Sequence, residues 1–352
     1  MEILEAKNAL DNIIKKARVH LYKPIQIAEI LYRDRVEKDI DLNDLETYRT
    51  KSKKWRDTIC IPFLGRTSTS SAKYQDDLFN KTAVPPSAIA TLGKINKEKN
   101  GIVESYIYNK FKERYGQMSM ALNYARNSST SSFNLKEFID LFWNEPGLRR
   151  SLDKIYEIIV YSLFSAIVDE LDVNIKVSFN PSKIDVLKEF ETFADKVLCV
   201  NSEKTTYISK ANINRVGVTN AADRGLDMWA NFGPAIQIKH LSLDEKLAKD
   251  IVSTVTSDRI VIVCKDSDEK VIQALLNQLG WKMRIQSVIT ESELIEWYKK
   301  ALKGKFSSVI GEKLLSSISD ELILEFPSAD NADFINFYKS RGYDKLSDNL
   351  WT

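Results

Sequence analysis

Three residues within 227–239 have side chains suited to cleaving a phosphodiester bond. Asp227 lies in a short predicted strand, and Gln237 and Lys239 lie in the next one, beyond a turn at 231–234 with the sequence Asn-Phe-Gly-Pro. Because side chains alternate along a strand, Gln237 and Lys239 point to the same face, and the turn folds Asp227 towards them. A carboxylate and an amide oxygen can hold a divalent cation that activates water, while an ammonium group stabilises the negative transition state.

Spacing alone leaves the chemistry of this stretch open. An acid followed by a polar residue and a lysine occurs by chance in many sheets, and glutamine, which carries no charge, is a weaker metal ligand than aspartate or glutamate. The flanking elements favour a nuclease. A helix is predicted over 152–171, strands over 226–231 and 235–243, a helix over 244–255 and a buried strand over 259–264. This is the element order of the nuclease core called PD-(D/E)XK.

The composition is that of an ordinary globular protein. The 352 residues include 51 Lys and Arg against 49 Asp and Glu, a formal net charge of +2, and no apolar run long enough to cross a membrane. Three widely spaced cysteines and two histidines argue against a disulfide framework and against a cysteine or histidine metal site. The N-terminal residues have the pattern of an amphipathic helix and not of a secretion signal, so we expect a cytoplasmic protein without membrane contact.

The small net charge conceals an uneven distribution along the chain. Residues 49–66 contain six bases and one acid, six minus one or +5, whereas the residues from 320 onwards contain seven acids and three bases. A basic helix beside the Ser/Thr-rich turn 67–71 suits phosphate contacts, although a solvated helix face would have the same pattern. The residues that we assign to DNA contact are Arg49, Lys53, Arg56, Arg66, Lys73, Asn220 and Arg224. For the last two, turn chemistry and a local ion pair are the alternatives.

The pattern divides the chain into a helical first part and an α/β second part. Residues 1–145 have apolar residues at helical spacing and are predicted to form a mostly helical domain. Residues 146–310 alternate strands and helices, and a helix between two apolar strands there predicts a parallel crossover. We expect a mixed sheet flanked by helices in this part, and C-terminal helices over 311–352 that pack on it.

Several stretches of the chain resemble one family of DNA-cutting enzymes. The stretch 215–245, RVGVTNAADRGLDMWANFGPAIQIKHLSLDE, is too long for an accidental match. Further stretches that agree lie at 18–35, 64–79, 101–111, 145–164 and 258–265. Over most of its length, and least clearly at its C-terminal end, the chain is similar to the HaeII family of type II restriction endonucleases.

The resemblance implies a restriction-endonuclease-like fold and a Mg²⁺-dependent enzyme that cuts double-stranded DNA at a short GC-rich palindrome, RGCGCY in the type enzyme. A palindrome implies a two-fold symmetric homodimer, and a cognate methyltransferase is the implied cellular partner. By motif, Asp227 matches the metal-binding acid, Gln237 takes the place of the usual second acid, and Lys239 is the catalytic lysine. Ile238 is assigned to the metal site with them. Glu157 resembles the helix acid that completes many such sites.

Two other functions remain compatible with the sequence. One is a DNA-binding regulator with an inactive nuclease-like domain, which the glutamine in place of an acid supports. The other is a structure-specific repair or recombination nuclease, which prefers branched or nicked DNA to a plain duplex. For a near-neutral nuclease, we expect the positive charge to be concentrated in a groove that leads to Asp227.

Overall fold

The chain divides into two compact units. In the computed structural model, one unit contains Met1–Ile155 and the described residues from Ile318 onwards, and the other contains the described residues between Tyr156 and Ser317. The predicted boundaries at 145 and 310 remain predictions. The structure describes residues 1–17, 20–65, 67–68, 77–145, 147–216, 226–255, 257–265, 277, 284–326 and 332–346, without the side chains of 150, 245 and 252.

The first unit is helical, as the spacing of its apolar residues predicts. Pro86 lies at the first position of its helix, where a missing N–H leaves no hydrogen bond unmade. Asn134 caps another helix, because its side chain accepts from the backbone N–H groups of Lys136 and Glu137. The helices up to residue 144 are α1 (Ile3–Lys16), α2 (Tyr22–Tyr32), α3 (Lys51–Leu64), α4 (Pro86–Glu98), α5 (Ile102–Asn127) and α6 (Leu135–Asn144).

The rest of the chain alternates strands and helices. Between its first two strands lies the helical segment 184–198, made of Ile184–Glu189, Glu191–Phe193 and the π-helical turn Ala194–Leu198. The other α-helices and strands are α7 (Leu152–Glu170), β1 (Asn174–Ser178), β2 (Thr206–Lys210), β3 (Ile213–Arg215), β4 (Met228–Ala230), β5 (Ala235–Ser242), α8 (Glu245–Thr254), β6 (Ile260–Lys265), β7 (Ile285–Thr290), α9 (Glu291–Lys303), α10 (Glu312–Glu325) and α11 (Ala332–Ser340).

The second unit contains the predicted mixed sheet. Its five strands follow the order β3-β4-β5-β6-β7, antiparallel from β3 to β5 and parallel from β5 to β7. The parallel pairing of β5 with β6 across α8 confirms the predicted crossover. Ile251 and Ala248 of α8 are buried with Ile260 and Ile262 of β6, and Val261 and Val263 on the other face are buried as well, which is why the strand is apolar up to its last residue, Lys265. Strands β1 and β2 form a separate antiparallel pair.

The C-terminal helix α11 packs within the first unit. Phe334 and Tyr338 belong to the core cluster of the N-terminal helices, and so does Tyr343, which comes after α11. The Arg341 guanidinium donates to both carboxylate oxygens of Glu29, at 2.7 and 3.0 Å. For α11, this placement differs from the prediction that the C-terminal helices over 311–352 pack on the α/β core, whereas Lys313 at the start of α10 contacts Asp169 and Glu170 of α7. Across the described residues, no helix has both the length and the hydropathy that crossing a bilayer requires.

Candidate active site

Strands β4 and β5 form the hairpin that brings the predicted site residues together. Met228 pairs with Ile236, and the turn is closed by the Gly233 N–H, which donates to the Ala230 carbonyl at 2.9 Å. Gly233 has a φ of 123°, a backbone conformation that residues with side chains rarely adopt, so the turn requires glycine. The predicted hairpin is therefore confirmed.

Asp227 lies just before β4, where the two strands separate. Its Oδ2 accepts a hydrogen bond from the Ile238 backbone N–H at 2.7 Å and another from the side-chain amide of Gln237. The Lys239 Nζ lies 3.9 Å from the same oxygen. The carboxylate thus accepts the Ile238 N–H in place of a backbone carbonyl from β4. The two N–H donors and the nearby Lys239 ammonium group fix its orientation.

The three side chains differ in how far they reach the solvent. Gln237 is 2% exposed, whereas the side chains of Asp227 and Lys239 are 15% and 34% exposed. The amide is therefore enclosed by the fold, and the ammonium group lies at the rim, where a large polyanion can reach it. This gradient of exposure suits a site in which the Lys239 ammonium contacts a phosphate at the surface and the Gln237 amide lies deeper, inside the fold.

Gln237 provides the observation that bears on a metal ion. Because a carboxylate only accepts hydrogen bonds, the amide must present its Nε2 to Asp227. The other amide atom, Oε1, is buried and has no hydrogen-bond partner among the residues that the structure describes. Leaving a buried polar atom unpaired costs about 1–3 kcal/mol, so a cation beside Asp227 would remove that cost.

The donor set is sparse for a metal site. No group of three or more His, Cys, Asp or Glu side chains suited to a metal ion occurs in the described part of the chain. The oxygens at the site are the Asp227 carboxylate, the Gln237 amide and backbone carbonyls such as that of Ile238. Hard cations such as Mg²⁺ accept such oxygen ligands and retain several water molecules, so these residues fit a single divalent ion.

Glu157 contacts Arg215, which is not among the site residues predicted from the sequence. On α7, it lies 3.8 Å from the guanidinium of Arg215, and both side chains are about 5% exposed. Arg215 pairs with Met228, so their side chains share one face of the sheet. The structure thus brings Glu157 to the guanidinium of Arg215. Only the packing of α7 on the sheet could have revealed this pair.

The predicted DNA-contact residues fall into three groups. The side chain of Arg49 is 41% exposed, and Lys53 is half-buried on α3. Arg56 is 1% exposed, and its guanidinium donates to Asp57 at 2.8 Å and to Gln26 at 3.3 Å. Its contacts are therefore internal, and the prediction that Arg56 contacts DNA is wrong. Four further candidates lie outside the described residues: Arg66, Lys73, Asn220 and Arg224.

Comparison with known proteins identifies relatives along nearly the whole chain. The family model described as HaeII restriction endonuclease matches residues 6–343. The type II restriction enzyme HaeII of Haemophilus aegyptius is 61% identical over 347 residues, which cover 99% of each chain. The type II restriction enzyme NgoBI of Neisseria gonorrhoeae is 55% identical over 345 residues, 98% of each chain. No solved structure matches the chain.

These matches define the class of the protein as a restriction endonuclease, a nuclease that acts on DNA. The chain belongs to the HaeII restriction endonuclease family. The resemblance inferred from the sequence is thereby confirmed. The hairpin with Asp227 and Lys239 lies within the matched residues.

Proposed function

We propose that this chain is a Mg²⁺-dependent type II restriction endonuclease that cuts both DNA strands at a short GC-rich palindrome of the RGCGCY type. The observation that carries the proposal is the Asp227–Gln237–Lys239 set at the point where β4 and β5 separate. The mixed sheet around it is of the restriction-endonuclease-like kind, with a core proposed over 146–310. Residues 1–145 would supply much of the grip on DNA, and a cognate methyltransferase would protect the same sequence in the host.

Each residue of the set has a distinct role in this proposal. Asp227, the Gln237 Oε1 and the Ile238 carbonyl would hold the cation. When bound, the cation lowers the pKa of a water molecule and neutralises charge on the phosphate. The Lys239 ammonium stabilises the negative charge that develops on the phosphoryl oxygens, and it lies at the rim where the backbone of a duplex arrives. The Ile238 N–H keeps the Asp227 carboxylate in one orientation.

Because Gln237 is neutral, the proposed metal site has one negative charge fewer than a site with the usual pair of acids. Glu157 would normally be the candidate to supply it, but its carboxylate is 3.8 Å from Arg215. We propose that Glu157 acts through Arg215 and keeps β3 in place beside Asp227. A cation held by a single carboxylate retains more positive charge, which favours attraction of the phosphate and weakens retention of the ion in free enzyme.

A plasmid digest tests the proposed function. A circular plasmid with several RGCGCY sites should give discrete fragments in Mg²⁺, and a matched plasmid with each site changed by one base should stay intact. Smeared products, or equal cutting of both plasmids, would contradict site-specific cleavage. A gel shift without cutting in either Mg²⁺ or Mn²⁺ would favour the regulator, and a preference for branched or nicked DNA would favour the repair nuclease.

Replacing Gln237 by methionine should raise the Mg²⁺ concentration for half-maximal cleavage by about 10- to 100-fold, since losses of that size follow the removal of groups around a metal. Methionine keeps the length of the side chain but lacks both the amide oxygen and the N–H groups. The measurement is a titration of cleavage rate against Mg²⁺.

Gln237→Glu is the matched variant. It keeps an oxygen at the same position and adds a charge, so it should need no more Mg²⁺ than the wild type. An unchanged Mg²⁺ requirement in Gln237→Met, with thermal unfolding also unchanged, would exclude this amide from the metal site.

A further inference from the structure

An exposed stripe of apolar side chains runs along the helical segment 184–198. Val186, Phe190, Phe193 and Val197 are 55%, 57%, 58% and 60% exposed. Their spacings of four, three and four residues place them on one side of a helix. The helical turns continue through the segment, because the Phe190 N–H donates to the Val186 carbonyl at 3.1 Å and the Ala194 N–H donates to the Phe190 carbonyl at 2.9 Å. We call these four residues the apolar stripe.

The other side of the segment is buried and anchors it. Leu187, Ala194 and Val200 form a small core, and Phe179 and Tyr207 from the neighbouring parts of the same unit pack against it. The segment therefore already has the hydrophobic contacts that hold it in place. The apolar stripe adds nothing to that core, and its exposure needs another explanation.

The stripe is large for a solvated helix face. A phenylalanine side chain carries about 150–250 Å² of surface, so with more than half of it exposed Phe190 and Phe193 each leave roughly 100 Å² or more in water. Val186 and Val197 extend this surface at both ends. An apolar surface of a few hundred Å² is comparable to the largest patch on a typical monomer, and patches of that size are often functional.

The order of residues in the stripe indicates which surface covers it. Val–Phe–Phe–Val with spacings of four, three and four is the same sequence in both directions. When two such helices pack antiparallel about a two-fold axis between Phe190 and Phe193, each valine meets the partner's other valine and each phenylalanine meets the partner's other phenylalanine. An interface between identical chains needs this self-complementarity, and a surface for an unrelated protein does not.

The charges beside the stripe follow the same symmetry. Glu189 and Lys196 are exposed, seven residues apart, and lie together along one border of the stripe. In the antiparallel arrangement, Glu189 lies close to the partner's Lys196, and Lys196 lies close to the partner's Glu189. Both opposite-charge contacts form at the rim of the interface, where such pairs favour the correct partner and register.

We propose that the apolar stripe is the two-fold interface through which two copies of this chain associate. The inference rests on the proposed function, because cutting both strands of a palindrome at the same time takes two active sites and each chain provides one Asp227–Lys239 set. The stripe forms the apolar centre of the interface, and the surrounding polar residues form its rim.

The test is the mass of the protein in solution, measured by light scattering without DNA or metal. The wild type should have twice the 40.3 kDa of one chain. The double variant Phe190→Asp/Phe193→Asp should have the mass of a single chain over the same concentration range, with an unchanged circular dichroism spectrum because both side chains are exposed. Ile208→Asp is the matched control, since Ile208 is 61% exposed in β2 of the same unit but lies outside the stripe.

Charge reversal provides a second measurement with little risk to the fold. Glu189→Lys and Lys196→Glu should each raise the dimer dissociation constant several-fold, and combining the two should restore it, because the pairs re-form with opposite polarity. A monomeric wild type, a dimer that survives Phe190→Asp/Phe193→Asp, or an Ile208→Asp variant as monomeric as the double variant would each refute the interface.

The outcomes separate this inference from the proposed function. A dimeric wild type that loses its dimer through the stripe variants but cuts no DNA would refute the function and leave the interface in place. A monomeric wild type that cuts specific sites would refute the interface and leave the function in place.

Discussion

Asp227→Asn should lower the rate of DNA cleavage by about 10³-fold or more. The substitution keeps the size of the side chain but removes the only carboxylate in the Asp227–Gln237–Lys239 set, and with it most of the attraction for a divalent cation. Metal ions contribute several kcal/mol to phosphoryl transition states, and each 1.36 kcal/mol is a factor of ten in rate. The measurement is single-turnover cleavage of a short duplex at saturating enzyme and Mg²⁺.

The control for this variant is Asp250→Asn on α8, an exposed acid outside the site. It should cleave at the wild-type rate. Asp227→Asn should still bind the same duplex in a gel shift, because the loss concerns chemistry and not the grip on DNA. Cleavage by Asp227→Asn within tenfold of the wild type would exclude Asp227 as the metal-binding acid.

Lys239→Met should lower the same rate by about 10²–10³-fold, the range expected when one charged donor to a transition state is removed. Methionine retains the apolar stem and removes only the ammonium group, which lies 3.9 Å from the Asp227 Oδ2. In contrast to Gln237→Met, the Mg²⁺ requirement should change little, since Lys239 stabilises the phosphate and does not hold the cation.

Lys249→Met is the matched loss of one positive charge on the exposed surface of α8. It should reduce binding slightly at low salt and leave the cleavage rate of bound DNA unchanged. Equal losses in Lys239→Met and Lys249→Met would show that only the total charge matters, which would contradict a specific role for Lys239.

The sequence was sufficient to predict the elements that position the site. The turn residues before β5, the strict alternation of Gln237 and Lys239, and the apolar run of β6 depend on neighbours close along the chain. Local rules therefore predict the hairpin and the crossover through α8, and the structure contains both. The contact of Asp227 with the Ile238 N–H follows from the same hairpin once the strands separate.

Other features depend on contacts between residues far apart along the chain. Arg341 binds Glu29 across 312 positions, and no local pattern places α11 beside the N-terminal helices. Arg56 belongs to a basic run, but the packing of α3 on α2 turns it inward to Gln26. The Glu157–Arg215 pair depends on which face of the sheet α7 covers.

The segment 184–198 has one feature that depends on residues close along the chain and one that depends on distant contacts. Its apolar residues recur at helical spacing, and the segment is helical with a break after Glu189 and a π-helical turn at its end. Which of its apolar residues face the core was not predictable, because both sides of the helix carry apolar residues. Only the packing of Leu187 and Ala194 shows that Phe190 and Phe193 are on the exposed side.

The central claim is that the carboxylate of Asp227 and the amide oxygen of Gln237 hold the cation that serves DNA cleavage. A crystal structure with Ca²⁺ and a GCGC-containing duplex tests it most directly, because calcium binds oxygen ligands without supporting cleavage in most such sites. We predict an ion within about 2.3–2.6 Å of an Asp227 carboxylate oxygen and the Gln237 Oε1, with the Lys239 Nζ next to the adjacent phosphate. An ion bound by other residues, with Asp227 distant from every phosphate, would contradict the claim.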